Sequence, residues 1–221
     1  MTLRTGVSVW DVPIRLFHWL LVALFGFSWW SAEQGHLDWH KSSGLSVLTL
    51  LAFRLAWGLV GSNTARFTHF LKGPSSVRTY LRDKKPHQPG HNPLGGWSVV
   101  TMLALLCVQV GTGLVAVDVD GIESGPLSDR LSFDSGRAAA AIHHISFDLL
   151  LILIGLHVLS IGYYLIVKRR NLLTPMITGR DSSFTPDIAA LVKGERWVLT
   201  ATVAISALLT YWIANGAPYL Q

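Results

Sequence analysis

Histidines in the apolar parts of the sequence carry its most distinctive chemistry, because imidazole nitrogens bind metals. His143 and His157 lie fourteen residues apart in one long apolar segment. An α-helix turns by about 100° per residue, so both imidazoles fall within roughly 40° of one helix face, at levels about 21 Å apart. His144 lies away from that face. A buried imidazole is costly unless it is paired or liganded, so this spacing predicts two separate sites on one helix.

The elements that must position these histidines are membrane-spanning helices. Half of the 221 residues are hydrophobic, only 14% are charged and the mean hydropathy is +0.41, which is unlike a soluble domain. We expect an all-α integral membrane protein, with a four-helix bundle in residues 1–180 and an interfacial segment and fifth transmembrane helix in 181–221. Five stretches are long enough, or nearly so, to cross a bilayer: 14–31, 40–60, 96–117, 138–167 and 197–214.

Charged residues in the connections predict the orientation, since Lys and Arg gather on the cytoplasmic side. Basic residues dominate the connections at 61–95, which include Lys84 and Lys85, and at 168–196. The 118–137 connection is acidic and should lie outside, with the N-terminus in the cytoplasm. The cytoplasmic residues account for the net charge of +5, so we do not expect nucleic-acid binding. We expect the first span to be retained, because no clean small-x-small cleavage site follows it.

This topology gives each histidine of the long helix a partner at its own depth. His18 lies near the inner start of the first span and matches His157, whereas His40 opens the second span at the outer face and matches His143. Two facing pairs are the ligand set of two bis-histidine b-type haems in a four-helix bundle. Zinc is the rival metal, but tetrahedral zinc needs clustered ligands. Filled axial positions favour outer-sphere electron transfer over oxygen binding, and no catalytic residue is predicted.

Small and cationic residues indicate where a porphyrin would lie. Gly44 and Gly113 remove bulk from helix faces, although packing of membrane helices is an alternative role for both. Arg54 follows His40 by fourteen residues and so reaches the level of the inner pair, where a buried guanidinium needs an anion such as a haem propionate. Arg15 is the second propionate candidate, or else only marks the inner boundary.

The remaining histidines and the single cysteine carry weaker signals. His36 is an alternative outer ligand if the second helix begins early, and His144 is expected to pack or hydrogen-bond beside the outer haem. Because Cys107 is the single cysteine of the sequence, an internal disulfide, a four-thiolate cluster and a covalently attached c-type haem are excluded. Three histidines of the inner connection are predicted to face solvent, with proximity to a quinone as the alternative: His69, His87 and His91.

Several motifs lie around these residues: VWDVPIRLFHW at His18, WHKSSG at His40, FRLAWGLVGS, GHNPLGGW, QVGTGL, and the helix from His143 to the GLH that ends at His157. Over roughly residues 8–180 the chain resembles the bacterial cytochrome b561 and nickel-hydrogenase b-type cytochrome subunit family. The resemblance implies a four-helix core in the inner membrane with two b haems, the inner bound by His18 and His157 and the outer by His40 and His143. It also implies quinone at one end and a redox partner at the other. Relatives usually have an acid where this chain has His144.

Three functional hypotheses follow, and they leave open whether the chain is itself an enzyme and whether it forms oligomers. The first is electron transfer between the quinone pool and a periplasmic partner such as a c-type cytochrome or a hydrogenase. The acidic outer connection could steer a cationic protein, although topology alone also produces such loops. The second is a stand-alone superoxide:quinone oxidoreductase that uses the same ligands. The third is a membrane anchor subunit of a larger redox complex.

Overall fold

A computed structural model describes residues 6–83, 90–120, 123–184 and 191–218; Lys84, Lys85 and His87 lie outside the described residues. The helices are α1 (Val12–Glu33), α2 (Leu37–Val60), α3 (Phe67–Phe70), α4 (Pro74–Asp83), α5 (Pro93–Val115), α6 (Phe133–Ile166), α7 (Leu173–Thr178) and α8 (Arg196–Ala214). Five of them, α1, α2, α5, α6 and α8, are long and apolar enough to cross a membrane. The expectation of an all-α integral membrane protein with five long apolar helices is therefore confirmed.

All five membrane-length helices begin earlier than the sequence predicts, and α2 and α6 are the two that matter for the histidines. α2 begins at Leu37 and not at residue 40, so His40 lies inside its first turn. Gly35, with a φ of 72°, ends the preceding turn in the left-handed region, and Asp38 favours the N-terminus of α2 electrostatically. α6 begins at Phe133 and is 34 residues long, well beyond the roughly 20 residues that a bilayer requires.

The chain divides into two compact units, each assembled from separate segments. We call the first the His18 unit; it comprises Met1–His18, Arg54–Thr101 and Ile154–Thr200. We call the second the His40 unit; it comprises Trp19–Phe53, Met102–Leu153 and Ala201–Gln221. The division into residues 1–180 and 181–221 stays a prediction.

In the His18 unit, the chain before α1 is fixed by contacts with distant segments. Strand β1 (Val7–Ser8) pairs antiparallel with β2 (Arg180–Asp181). The hydroxyl of Thr64 donates a hydrogen bond to the carbonyl of Val9, over 2.7 Å. The basic stretch at 66–82 forms α3 and α4, and Pro74 occupies the first position of α4, where its missing N–H costs no helical hydrogen bond.

In the His40 unit, α8 is bonded to α2 and to the connection between α5 and α6. Thr49 donates a hydrogen bond to Thr210 over 2.8 Å. Arg130 donates to the carbonyls of Gly216 and Ala217, just beyond the C-terminal end of α8, where a cation interacts favourably with the helix dipole. Elsewhere α8 exposes large apolar side chains, such as Leu208, to its surroundings. Such exposure is expected of a helix that faces lipid.

Candidate functional site

His40 and His143 face each other in the His40 unit. Their ring centroids are 6.0 Å apart and their planes are nearly perpendicular, at 86°. A metal–imidazole nitrogen bond is about 2 Å long, so two imidazoles on opposite sides of one metal ion have centroids roughly 6 Å apart. The separation of these two rings therefore fits a single metal ion between them.

Both imidazoles use Nδ1 to contact a backbone carbonyl of a neighbouring helix. The distance is 2.9 Å from His40 Nδ1 to the oxygen of Ser28, and 2.8 Å from His143 Nδ1 to that of Gln109. A carbonyl only accepts hydrogen bonds, so each Nδ1 carries the proton and each Nε2 keeps its lone pair. Such a hydrogen bond to the far nitrogen fixes the tautomer and ring orientation of metal-binding histidines.

Gln109 also contacts the nitrogen that a metal would need. Its side-chain amide nitrogen lies 2.9 Å from His143 Nε2, and its amide oxygen accepts a hydrogen bond from Ser146. The amide thus donates to the lone pair of His143 Nε2, and iron could bond there only after this amide turns away. The sequence analysis quoted Gln109 only as part of a motif; its signal was a polar residue in the middle of an apolar span.

A cavity of about 740 Å³ lies beside this pair, lined by both histidines and mainly by apolar side chains. This volume lies within the usual range for small-molecule and cofactor pockets. Gly44 and Gly113 both line it. A Cβ on Gly113 would lie 2.9 Å from Cε1 of His143, whereas a Cβ on Gly44 would meet nothing within 4 Å. Gly113 therefore makes room for the His143 ring, and Gly44 leaves open space.

Charged side chains line the same cavity, and several of them already have partners. Lys41 forms a salt bridge with Glu123, and Arg137 donates to the carbonyl of Val117 over 3.0 Å. His144 is exposed and also lines the cavity, and its predicted role beside the outer haem stays a prediction. The sequence analysis gave no role to Lys41 or Arg137, although Lys41 directly follows His40.

His18 and His157 come together in the His18 unit, where they are close enough for their charges to interact. Arg54 lies in the same unit and is 3% exposed. Its guanidinium stands 4.9 Å from the ring centroid of Phe67, and Nη1 has no hydrogen-bond partner among the described residues. A buried cationic nitrogen without an acceptor is costly, so this position suits an anionic group such as a propionate.

Arg15 has one satisfied and one unsatisfied nitrogen. Its Nη1 donates to the carbonyl of Ile177 over 2.5 Å, which holds the side chain against α7. Its Nε is buried and has no partner within the part of the chain that the structure describes. Both predicted propionate candidates, Arg15 and Arg54, therefore keep a buried donor in the His18 unit.

The prediction that His91 faces solvent is wrong, because the residue is half-buried and its ring packs between aromatic side chains. Its ring packs edge-on against Trp10, with centroids 4.7 Å apart, and tilted against Phe70 at 4.8 Å. Its Nδ1 is buried without a hydrogen-bond partner among the described residues. Burial, followed by the charges of Arg54 and His157, lowers the pKa of His91 to about 3. The imidazole is therefore neutral at physiological pH.

The other histidines fall outside both pairs. His36 is exposed and packs against Trp39 with centroids 4.8 Å apart, so it is His40 that faces His143. His69 is half-buried, and partial burial together with the charge of Lys72 lowers its pKa. Over residues 6–83, 90–120, 123–184 and 191–218, no group of three or more His, Cys, Asp or Glu side chains could hold a metal ion.

The sequence analysis missed Asp11. This carboxylate is buried, and its two oxygens accept hydrogen bonds from the backbone N–H of Ile14, over 2.9 Å, and from Nε1 of Trp57, over 3.0 Å. It caps the N-terminus of α1 and fixes the indole on α2. The available signal was an acidic residue immediately before the first apolar span.

The sequence model of the family described as prokaryotic cytochrome b561 matches residues 9–179. The probable Ni/Fe-hydrogenase B-type cytochrome subunit of Azotobacter chroococcum mcd 1 is 24% identical over 212 residues, which cover 80% of this chain and 88% of that protein. The protein of the same name from Azotobacter vinelandii is 23% identical, with the same coverage. No solved structure gives a significant match.

Proposed function

The chain belongs to the prokaryotic cytochrome b561 family, and on that premise we propose that it is a di-haem electron carrier between the quinone pool and a periplasmic redox partner. The observation that carries the proposal is the geometry of His40 and His143. Their 6.0 Å separation and their two Nδ1–carbonyl contacts suit a pair of axial ligands.

We assign one b haem to each unit. His40 and His143 would hold the first, beside the cavity that Gly44 and Gly113 line. His18 and His157 would bind the second in the same manner. α6 carries one histidine of each pair, fourteen residues apart.

Haem b, when bound, supplies reversible one-electron chemistry at its iron. The carbonyls of Ser28 and Gln109 hold the rings of His40 and His143 in the tautomer that leaves Nε2 for the metal. Two protein ligands on one iron also keep oxygen from it. In the His18 unit, the unpartnered guanidinium nitrogens of Arg54 and Arg15 would receive the propionates.

The environment of this chain is proposed to be the inner membrane of a bacterium, with the N-terminus in the cytoplasm. The basic connections at 61–95 and 168–196 and the acidic connection at 118–137 support that orientation. The relatives are named as cytochrome subunits of a Ni/Fe-hydrogenase. We therefore propose a hydrogenase, or a c-type cytochrome, as the partner outside, and quinone as the substrate at the membrane.

The test is a haem assay on the purified full-length chain, with reduced-minus-oxidised spectra. We expect two b haems per chain, both low-spin, and reduction that is slow until a partner protein is added. One haem or none would contradict the proposal. Rapid reduction by superoxide without any partner would replace it with a stand-alone superoxide:quinone oxidoreductase. Reduction that no partner accelerates, despite stable co-purification with a redox enzyme, would replace it with an anchoring role.

A further inference from the structure

Two buried nitrogens without hydrogen-bond partners among the described residues belong to one part of the His18 unit. They are Nη1 of Arg54 and Nδ1 of His91. The two side chains interact electrostatically, and His91 also interacts with His157. Trp10 and Phe70 pack against His91, and the Arg54 guanidinium lies 6.0 Å from the ring centroid of Phe70. The ring of Phe70 therefore lies next to both side chains, and together with Trp10 it limits the access of water to them.

Asp11 is a buried acid that interacts electrostatically with Arg54, but it does not supply the acceptor that Nη1 of Arg54 lacks. Its Oδ1 accepts from the backbone of Ile14 and its Oδ2 accepts from Trp57. Arg54 interacts with Asp11 electrostatically, yet its Nη1 stays without a hydrogen bond in the described part of the chain. The arrangement thus leaves two buried nitrogens without a partner among the described residues: Nη1 of Arg54, which is a donor, and Nδ1 of His91, which is a donor in one of the two neutral tautomers. Buried donors in native proteins nearly always have an acceptor.

We propose that His91, through Nδ1–H, is a second hydrogen-bond donor to the anionic group that Arg54 binds, a carboxylate of the macrocycle held by His18 and His157. This inference rests on the proposed function. A carboxylate has two oxygens and accepts from two donors at once. Arg54 neutralises its charge, and the neutral His91 spreads the remaining charge through a hydrogen bond. A negative charge near the iron disfavours the ferrous form. The hydrogen bond from His91 weakens that effect, so His91 raises the reduction potential of that haem.

The experiment is a potentiometric titration of the full-length protein carrying His91→Phe. We expect two haems per chain, as in the unmodified protein, with one midpoint potential lowered and the other unchanged. The expected change is about tenfold in the reduction equilibrium constant, the size of one hydrogen bond to a charged group. His69→Phe is the matched control, because His69 adjoins Phe70 on α3 and makes no ring contact with His91 among the contacts described; it should leave both potentials unchanged.

A second pair of variants tests the donor atom itself and avoids the loss of polarity that could impair folding. The side-chain amide of His91→Asn places an N–H near the position of Nδ1, whereas that of His91→Gln places it near Nε2. His91→Asn should restore the potential and His91→Gln should not. Equal potentials in these two variants, or unchanged potentials in His91→Phe, would overturn the inference. Loss of one haem with conversion to a high-spin spectrum in His91→Phe would make His91 a ligand and also overturn it. A wild-type protein without two haems would instead refute the proposed function.

Discussion

Each histidine pair takes one member from α6, but the polar surroundings of the two pairs differ. In the His40 unit, both Nδ1 atoms contact carbonyls, and the cavity-lining cation Lys41 is paired with Glu123. In the His18 unit, Arg54 and Arg15 each retain a buried nitrogen without a partner in the described part of the chain. Lys41 and Arg137, two cations that line the cavity of the His40 unit, therefore already have partners, whereas Arg54 and Arg15 in the His18 unit each keep a buried donor for an anionic guest.

This difference implies different reduction potentials for the two proposed haems. A hydrogen bond from Nδ1 to a carbonyl raises the basicity of a histidine ligand, which favours ferric iron in the His40 unit. A buried guanidinium such as that of Arg54 favours the less positively charged ferrous state in the His18 unit. The buried cation therefore gives the proposed haem of the His40 unit the lower potential.

The largest expected effect is the loss of one haem. His143→Ala should reduce the haem content from two per chain to one, because a single axial ligand and a cavity do not retain a low-spin b haem. The lower of the two potentials should disappear from the titration. The control is His144→Ala, which removes the adjacent imidazole and should keep both haems. Two haems in His143→Ala would refute the ligand assignment.

A smaller effect is expected from removing one cation in each unit by the same substitution. Arg54→Gln should lower one midpoint potential, with a reduction equilibrium constant that is roughly ten- to a hundredfold smaller. Arg54 is buried, and the anion that it binds would lose a charged donor. Lys41→Gln should change the reduction equilibrium constant of the other haem by no more than about fivefold, because Lys41 is partly exposed and paired with Glu123. Potentiometry of both variants measures the contrast. Equal shifts would show that the two units hold their cofactors alike.

Substitutions at two glycines of α5 distinguish an effect on the His143 ring from a general effect on helix packing. Gly113→Ala would place a methyl group 2.9 Å from Cε1 of His143. That ring is held by its hydrogen bond to Gln109, so it would have to tilt, and haem binding in the His40 unit should weaken by roughly tenfold. Gly111→Ala is the control, because its Cβ would meet nothing within 4 Å. Haem retention during dilution in detergent measures the difference, and similar losses in both variants would contradict this reasoning.

The smallest effect concerns the fifth helix. Thr210→Val removes the hydrogen bond with Thr49 and should lower the free energy of unfolding by about 1 kcal/mol, with both haem potentials unchanged. Thr200→Val is the matched control, because the exposed Thr200 bonds only to the carbonyl of Arg196 in its own helix. Thermal unfolding monitored by circular dichroism tests this prediction. A changed potential in Thr210→Val would give α8 a role beyond packing.

The sequence predicted the helices well because apolar length and composition are local properties. It also predicted which histidines meet: His40 lies opposite His143, and His18 lies near His157. Helix periodicity and the positive-inside rule suffice for that much, since both use spacing along single helices. The assignment of these four residues as haem ligands stays a prediction.

The contacts that surround the pairs could not be predicted in the same way. His91 belongs to a basic, polar connection, and its burial depends on Trp10 and Phe70, which are distant in sequence. Gln109 and Asp11 reveal their roles only through atoms of other helices. Such tertiary contacts override the local polarity from which exposure is inferred.

The most direct test of the account is a potentiometric titration of the wild-type protein with haem quantification, repeated on His143→Ala. The account predicts two b haems per chain with two resolved midpoint potentials, of which the lower one is absent from the variant. One haem per chain, or loss of the higher potential in His143→Ala, would contradict it.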